Sequence, residues 1–147
     1  MKKLIILPIL FLLLTACNDE VEWKMLDDGA QLESISEFMM DYFEGWSESL
    51  TSSFSIMENY FVPNSHVFHM QRRHHQQLIS ERKVEYFVEA IDPVVEYNDH
   101  EEFRLTWIET IEIHQGEETM KEERQRAYYI SEGRQGYRIT KIERLDD

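Results

Sequence analysis

Four of the six histidines fall between positions 66 and 75: His66, His69, His74 and His75. Imidazole is the commonest transition-metal ligand and titrates near neutral pH, so this is where metal or proton chemistry would be sought first. His66 and His69 lie three residues apart and share a helix face. His74 sits about 140° further round a helix from His69, and His75 further still, so the four cannot converge on one ion from one helix. A metal site would need a strand carboxylate, His100 or His114 in addition. There is no His-Glu-x-x-His pattern. The residues are therefore expected to be solvated or to pack against other elements, and no metal ligand is assigned.

The same stretch is locally basic. Arg72, Arg73, Arg82 and Lys83 are opposed only by Glu81, in a chain with 15 Lys+Arg against 29 Asp+Glu and a net charge of -14. This island is the candidate patch for an anion or an acidic partner; the alternative is pairing with the chain's own acids, at Glu117 to Glu123 or in the acidic segment before Gly29. The overall acidity excludes nucleic acid, whose phosphates require a basic footprint. A second candidate site is an aromatic one. Tyr42, Trp46 and Tyr60, with His69 as the nearest ionisable group, are the candidate pocket residues, because buried tyrosine hydroxyls need partners. Most of the remaining aromatics are expected in the core.

Adjacent acids such as Glu101-Glu102, Glu117-Glu118, Glu122-Glu123 and Asp146-Asp147 resemble catalytic pairs only in composition. Neighbours on a strand point to opposite faces and cannot act on one bond. There is no Gly-x-Ser-x-Gly, no phosphate-binding glycine loop and no dinucleotide fingerprint. The residues thus point to no catalytic set and no cofactor, and the chain is read as a non-enzyme.

One cysteine, Cys17, excludes a disulfide framework and a cysteine zinc site. Its surroundings explain it. Met1-Lys2-Lys3 is a positive start, and Leu4 to Leu14 is an apolar run, too short for a membrane span of about 20 residues. Leu14-Thr15-Ala16-Cys17 resembles the lipobox of bacterial lipoproteins. That resemblance implies cleavage before Cys17 and diacylglycerol on its sulfur. Residues 1–16 are then a signal peptide, and the protein is held on the outer face of the cell membrane, the periplasmic side in a Gram-negative cell. Each buried CH₂ of a lipid chain contributes about 0.8 kcal/mol, so two or more acyl chains anchor firmly. Loss of Lys2 and Lys3 leaves 13 basic against 29 acidic residues, a net charge of -16. Asp19, Glu20, Glu22, Asp27 and Asp28 make residues 17–29 an acidic tether with a span on the order of 20 Å.

Residues 30–147 then form one domain. Leu32, Ile35, Phe38, Met39, Tyr42, Phe43, Trp46 and Leu50 recur at steps of three and four, which predicts an amphipathic helix. Ser34 or Ser36 is a candidate cap for a sub-segment of it, and the pattern does not fix where the helix starts. Phe54, Met57 and Phe61 predict a short second helix, and His66 to Ser80 a third with Val67, Met70, His74 and Leu78 on one face. From Lys83 the pattern turns to strands. Pro93 marks a bulge or an edge. Turns at Asn98-Asp99-His100, Gln115-Gly116-Glu117 and Glu132 to Gly136 separate four strands. In the second strand Phe103, Leu105, Trp107, Ile111 and Ile113 alternate, with Ile108 on the other face. Helices followed by an antiparallel meander give an α+β fold.

Phe38-x₃-Tyr42-x₃-Trp46, the strand residues Val84, Phe87 and Val88, and the closing Gly136-Tyr137-Arg138-Ile139-Thr140-Lys141-Ile142 resemble the nuclear-transport-factor-2-like fold. This cone is shared with ketosteroid isomerases. The closer resemblance is to extracellular domains of that type on teicoplanin-resistance-associated envelope proteins, over residues 31–145. It implies a concave face between helix and curved sheet. It also implies a binding or assembly module of the cell envelope, with an envelope protein or cell-wall component as partner. Two alternatives stand beside it: a small-molecule enzyme of the cone fold using a pocket between helix and sheet, and a metal-binding lipoprotein.

Overall fold

The computed structural model describes residues 20–146; Cys17 and the expected signal peptide lie outside them. A two-residue strand β1 (Lys24–Met25) leads into α1 (Gly29–Thr51). A 3₁₀ helix (Phe54–Tyr60) and α2 (His66–Glu81) follow. The chain closes with four long strands, β2 (Lys83–Tyr97), β3 (Glu102–Gln115), β4 (Glu118–Gly133) and β5 (Gly136–Arg144). The sheet is antiparallel throughout, in the order β1-β2-β3-β4-β5. It has five strands where the strand pattern predicts four. The extra strand comes from the segment read as tether: Lys24 pairs with Tyr97 and Met25 with Glu96, and Leu26 N–H donates to the Val95 carbonyl at 2.9 Å. Trp23 adds an edge contact to Tyr129 and lies under the Arg104 guanidinium. The folded unit therefore begins before residue 30. Two residues are too few for a periodic signal, so only the pairing reveals this strand.

Local chemistry places each element boundary. Asp28, rather than Ser34 or Ser36, caps α1; its carboxylate accepts from Ala30 N–H at 3.0 Å and Gln31 N–H at 3.2 Å. Ser65 caps α2 by accepting from Phe68 N–H, and Arg82 closes it in the left-handed conformation (φ 57°). The register between β2 and β3 slips between Phe87 and Glu89 and again between Ile91 and Val94, the second slip enclosing Pro93. Those bulges bend the sheet around the helices.

The core lies between α1 and the concave face of the sheet. Ile35, Met39, Tyr42, Phe43, Trp46 and Leu50 on α1 meet Phe103, Leu105 and Trp107 of β3, Tyr128 and Ile130 of β4 and Ile139 of β5. Phe43 stacks on Phe87 with 4.3 Å between centroids. Each such large side chain contributes about 1.5–3 kcal/mol by burial. Gly45 lets the 3₁₀ helix close on α1, since a Cβ there would stand 3.3 Å from Tyr60 Cε2 and 3.4 Å from Met57 Sδ. The packed face of α2 is Val67, Phe68, His75 and Leu78, rotated from the predicted one: Met70 is exposed, and His74 sits half-covered at the margin.

Candidate functional site

The inward row of β3 is Phe103, Leu105, Trp107, Glu109, Ile111 and Ile113, all buried. Its neighbours on β4, in register, are Ile130, Tyr128, Arg126, Arg124, Glu122 and Met120. At the level where α1 and α2 no longer fill the concave face, these rows bound a cleft of about 300 Å³. Its aromatic walls are Tyr42, Phe43 and Trp46 of α1 and Tyr128 of β4; Met70 and His74 of α2 stand at its side.

Two of the three carboxylates lining the cleft, Glu85 and Glu109, are buried, and their surroundings push them in opposite directions. Glu85, 4% exposed, accepts from Trp46 Nε1 at 3.0 Å and from Arg124 Nη2 at 2.6 Å, with His74 Nε2 3.7 Å away. Burial raises its pKa, but His74 and Arg124 outweigh burial and hold it at about 2. Glu109, 2% exposed, accepts from Trp107 Nε1 at 2.8 Å and from the Tyr128 hydroxyl at 2.8 Å. Here desolvation prevails over those hydrogen bonds, and the carboxyl is pushed up. Burial, followed by the nearby carboxylates, makes the Tyr42 and Tyr128 hydroxyls much weaker acids than free tyrosine. Arg124 is held charged by Glu85 and Glu122 against its own desolvation.

Tyr42 and Trp46 line the cleft as the sequence predicts. Tyr60 and His69 do not. Tyr60 lies on the other flank of α1, its hydroxyl donating to the Asp41 carbonyl at 3.1 Å, and burial raises its pKa. His69 is exposed and touches Phe68 edge-on. The α2 histidine that reaches the cleft is His74, stacked on Trp46 at 5.8 Å. His75 is buried against Trp46 and Phe54, with Nε2 unpartnered, and desolvation lowers its pKa. His66 is exposed. No group of three metal-ligating side chains assembles among the described residues.

The basic island is an outer surface. Arg72, Arg73 and Arg82 are exposed, and Lys83 pairs with Glu81 at 2.6 Å. Among the described residues, no ion pair joins this island to Glu117–Glu123; Glu122 is engaged by Arg124. No described helix is long and apolar enough to cross a membrane.

The charged cleft residues not singled out from the sequence are Glu85, Glu109, Arg124, Arg126 and Arg144. Three of them carry a sequence signal. Glu109 occupies the one polar slot in the inward period-two row from Phe103 to Ile113, and Arg124 and Arg126 are in phase with Tyr128 and Ile130.

No curated protein matches the chain in sequence. Among solved structures, the intermembrane-space region of the chloroplast protein ARC6 is similar, with a TM-score of 0.52 at 10% identity. The likeness covers 78% of this chain and 96% of that one, and concerns the fold alone. The family model described as the TcaA protein NTF2-like domain matches residues 32–143, a stretch that runs from the first turn of α1 into the last residues of β5, and the chain belongs to that family.

Proposed function

We propose that this protein is a lipid-anchored, extracytoplasmic module of the cell envelope that binds a partner rather than transforming a substrate. Cys17 at the end of Leu14-Thr15-Ala16 supplies the anchor, and the family supplies the envelope context. The observation that carries the binding reading is the state of the cleft. Its buried carboxylates already have partners, Glu85 in Arg124 and Trp46, Glu109 in Trp107 and Tyr128. Its lining includes no serine, threonine or cysteine to act as a nucleophile beside a base. A preformed, aromatic-walled receptacle with fixed polar groups is suited to holding a ligand or a partner's side chain. The basic outer side of α2, at Arg72 and Arg73, offers a second face to an acidic protein or cell-wall component.

In-cell crosslinking of the anchored protein, followed by mass spectrometry, tests this. A single envelope protein recovered repeatedly, and lost on reversing the Arg72 and Arg73 charges, is the expected result. Capture unaffected by either those reversals or cleft substitutions would refute the binding faces named here.

One observation favours an enzymatic reading. Glu109 is a buried carboxyl with a raised pKa bonded to the Tyr128 hydroxyl, an arrangement suited to moving a proton. Turnover of a small carbonyl compound, lost in Glu109→Gln, would establish that reading in place of the first.

A further inference from the structure

Arg126 of β4 and Arg144 of β5 are direct partners across the antiparallel ladder, and both line the cleft. Like charges directly opposite on a sheet repel, so such a pair calls for an anion. The chain provides one. Asp146 lies just beyond β5, where Leu145 N–H still bonds the Gln125 carbonyl at 3.0 Å and carries the segment along β4. From there the Asp146 carboxylate accepts from Arg126 Nη1 at 2.5 Å. The same Nη1 donates to the Gln125 carbonyl at 2.9 Å. Arg126 is only 7% exposed, whereas Arg144 is exposed and has no carboxylate within 4.0 Å among the described residues. The remaining cleft cation on this strand, Arg124, is spent on Glu85 and Glu122.

We propose that Arg126 and Arg144 form a carboxylate subsite at the edge of the cleft, and that Asp146 occupies it as an internal stand-in which an incoming acid displaces. The ligand is a small acid with an apolar body. Its carboxylate takes the place of Asp146 on Arg126 and extends to Arg144, which Asp146 leaves unengaged. Its apolar part lies against Tyr42, Phe43, Tyr128 and Ile142, which line the same cavity. Guanidinium is the group best matched to a planar carboxylate, and two of them beside an apolar wall select an anion by shape as well as charge. An acidic chain binds such a ligand only where arginines are gathered locally, as they are here. A tethered competitor lowers the apparent affinity by the fraction of time the subsite is occupied.

This inference rests on the reading of the cleft as a binding receptacle and names its ligand class. Calorimetric titration of the domain with 4-phenylbutyrate and with its neutral amide tests it, using the wild type, Asp146→Asn, and Asp146→Asn combined with Arg144→Gln. Arg144 is exposed, so its replacement spares the fold, which circular dichroism verifies. The expected result is binding of the acid at least about tenfold tighter to Asp146→Asn than to wild type, the gain lost in the double variant, and the amide bound far more weakly. Equal affinity in wild type and Asp146→Asn would overturn the internal competitor. Equal affinity for acid and amide would overturn the carboxylate subsite. Absence of binding throughout would overturn the ligand class, while capture of an envelope partner in cells would still uphold the module reading.

Discussion

Arg124 reaches across the concave face to bond Glu85 at 2.6 Å, joining β4 to β2 over the intervening β3. The pair ties the open end of the sheet together above the cleft, and Trp46 brings α1 into the same network through its Nε1 bond to Glu85. Removing one partner of a buried pair leaves the other charge desolvated, at a cost of about 3–5 kcal/mol. Glu85→Gln and Arg124→Met should each destabilise by that order in urea denaturation. A double variant should lose less than the sum of the two.

Glu85 also makes the domain acid-sensitive in a defined window. Its folded pKa of about 2 lies below the ordinary 4.5, so its contribution is complete above 4.5 and is lost as pH falls toward 2. The shift corresponds to about 3 kcal/mol. Denaturation midpoints measured from pH 6 to pH 2 should fall more steeply in wild type than in Glu85→Gln.

Glu109 should behave in the opposite sense. Burial raises its pKa, so its carboxyl favours the folded state when protonated, and that contribution is lost as pH rises through the folded value. Glu109→Gln keeps an acceptor for Trp107 and Tyr128 and removes the buried charge. Its melting temperature at pH 7 should equal or exceed that of the wild type. A fall of several degrees would show that ionised Glu109 is a net stabiliser.

His75 adds a third titration. Desolvation lowers its pKa, and its Nε2 has no partner among the described residues. The unfolded chain therefore takes up a proton first as pH drops below about 6.5, and stability declines. His75→Phe fits the aromatic surroundings of Trp46 and Phe54. It should flatten the stability profile between about pH 7 and pH 5 relative to wild type.

Cys17→Ala should move the protein from the membrane fraction to the soluble one, or leave it uncut. Fractionation with mass spectrometry of the N-terminus reads either outcome. Mature protein that lacks Cys17 and still partitions with membranes would remove the lipid anchor.

What the sequence determined by itself is what depends on near neighbours along the chain. The steps of three and four from Ile35 to Leu50, the β-rich runs after Lys83 and the turns between them are local signals, and they place α1, the order of the long strands and the α+β class. Tyr42 and Trp46 were legible as cleft residues because they belong to that helical face. Tertiary structure decided the rest, because the deciding energies act between distant segments. Lys24 and Met25 become strand only by pairing with Glu96 and Tyr97. Docking of Phe68 and His75 against Phe54 turns α2 so that Met70 is exposed and His74 is left at the margin, where it stacks on Trp46, while His69 stays outside the cleft. Above all, Glu85 and Glu109 are the same residue type in one cleft. His74 and Arg124 together hold the Glu85 carboxyl well below the usual range, whereas desolvation prevails at Glu109, and which partners each meets is a product of strand register, sheet curvature and the seating of α2.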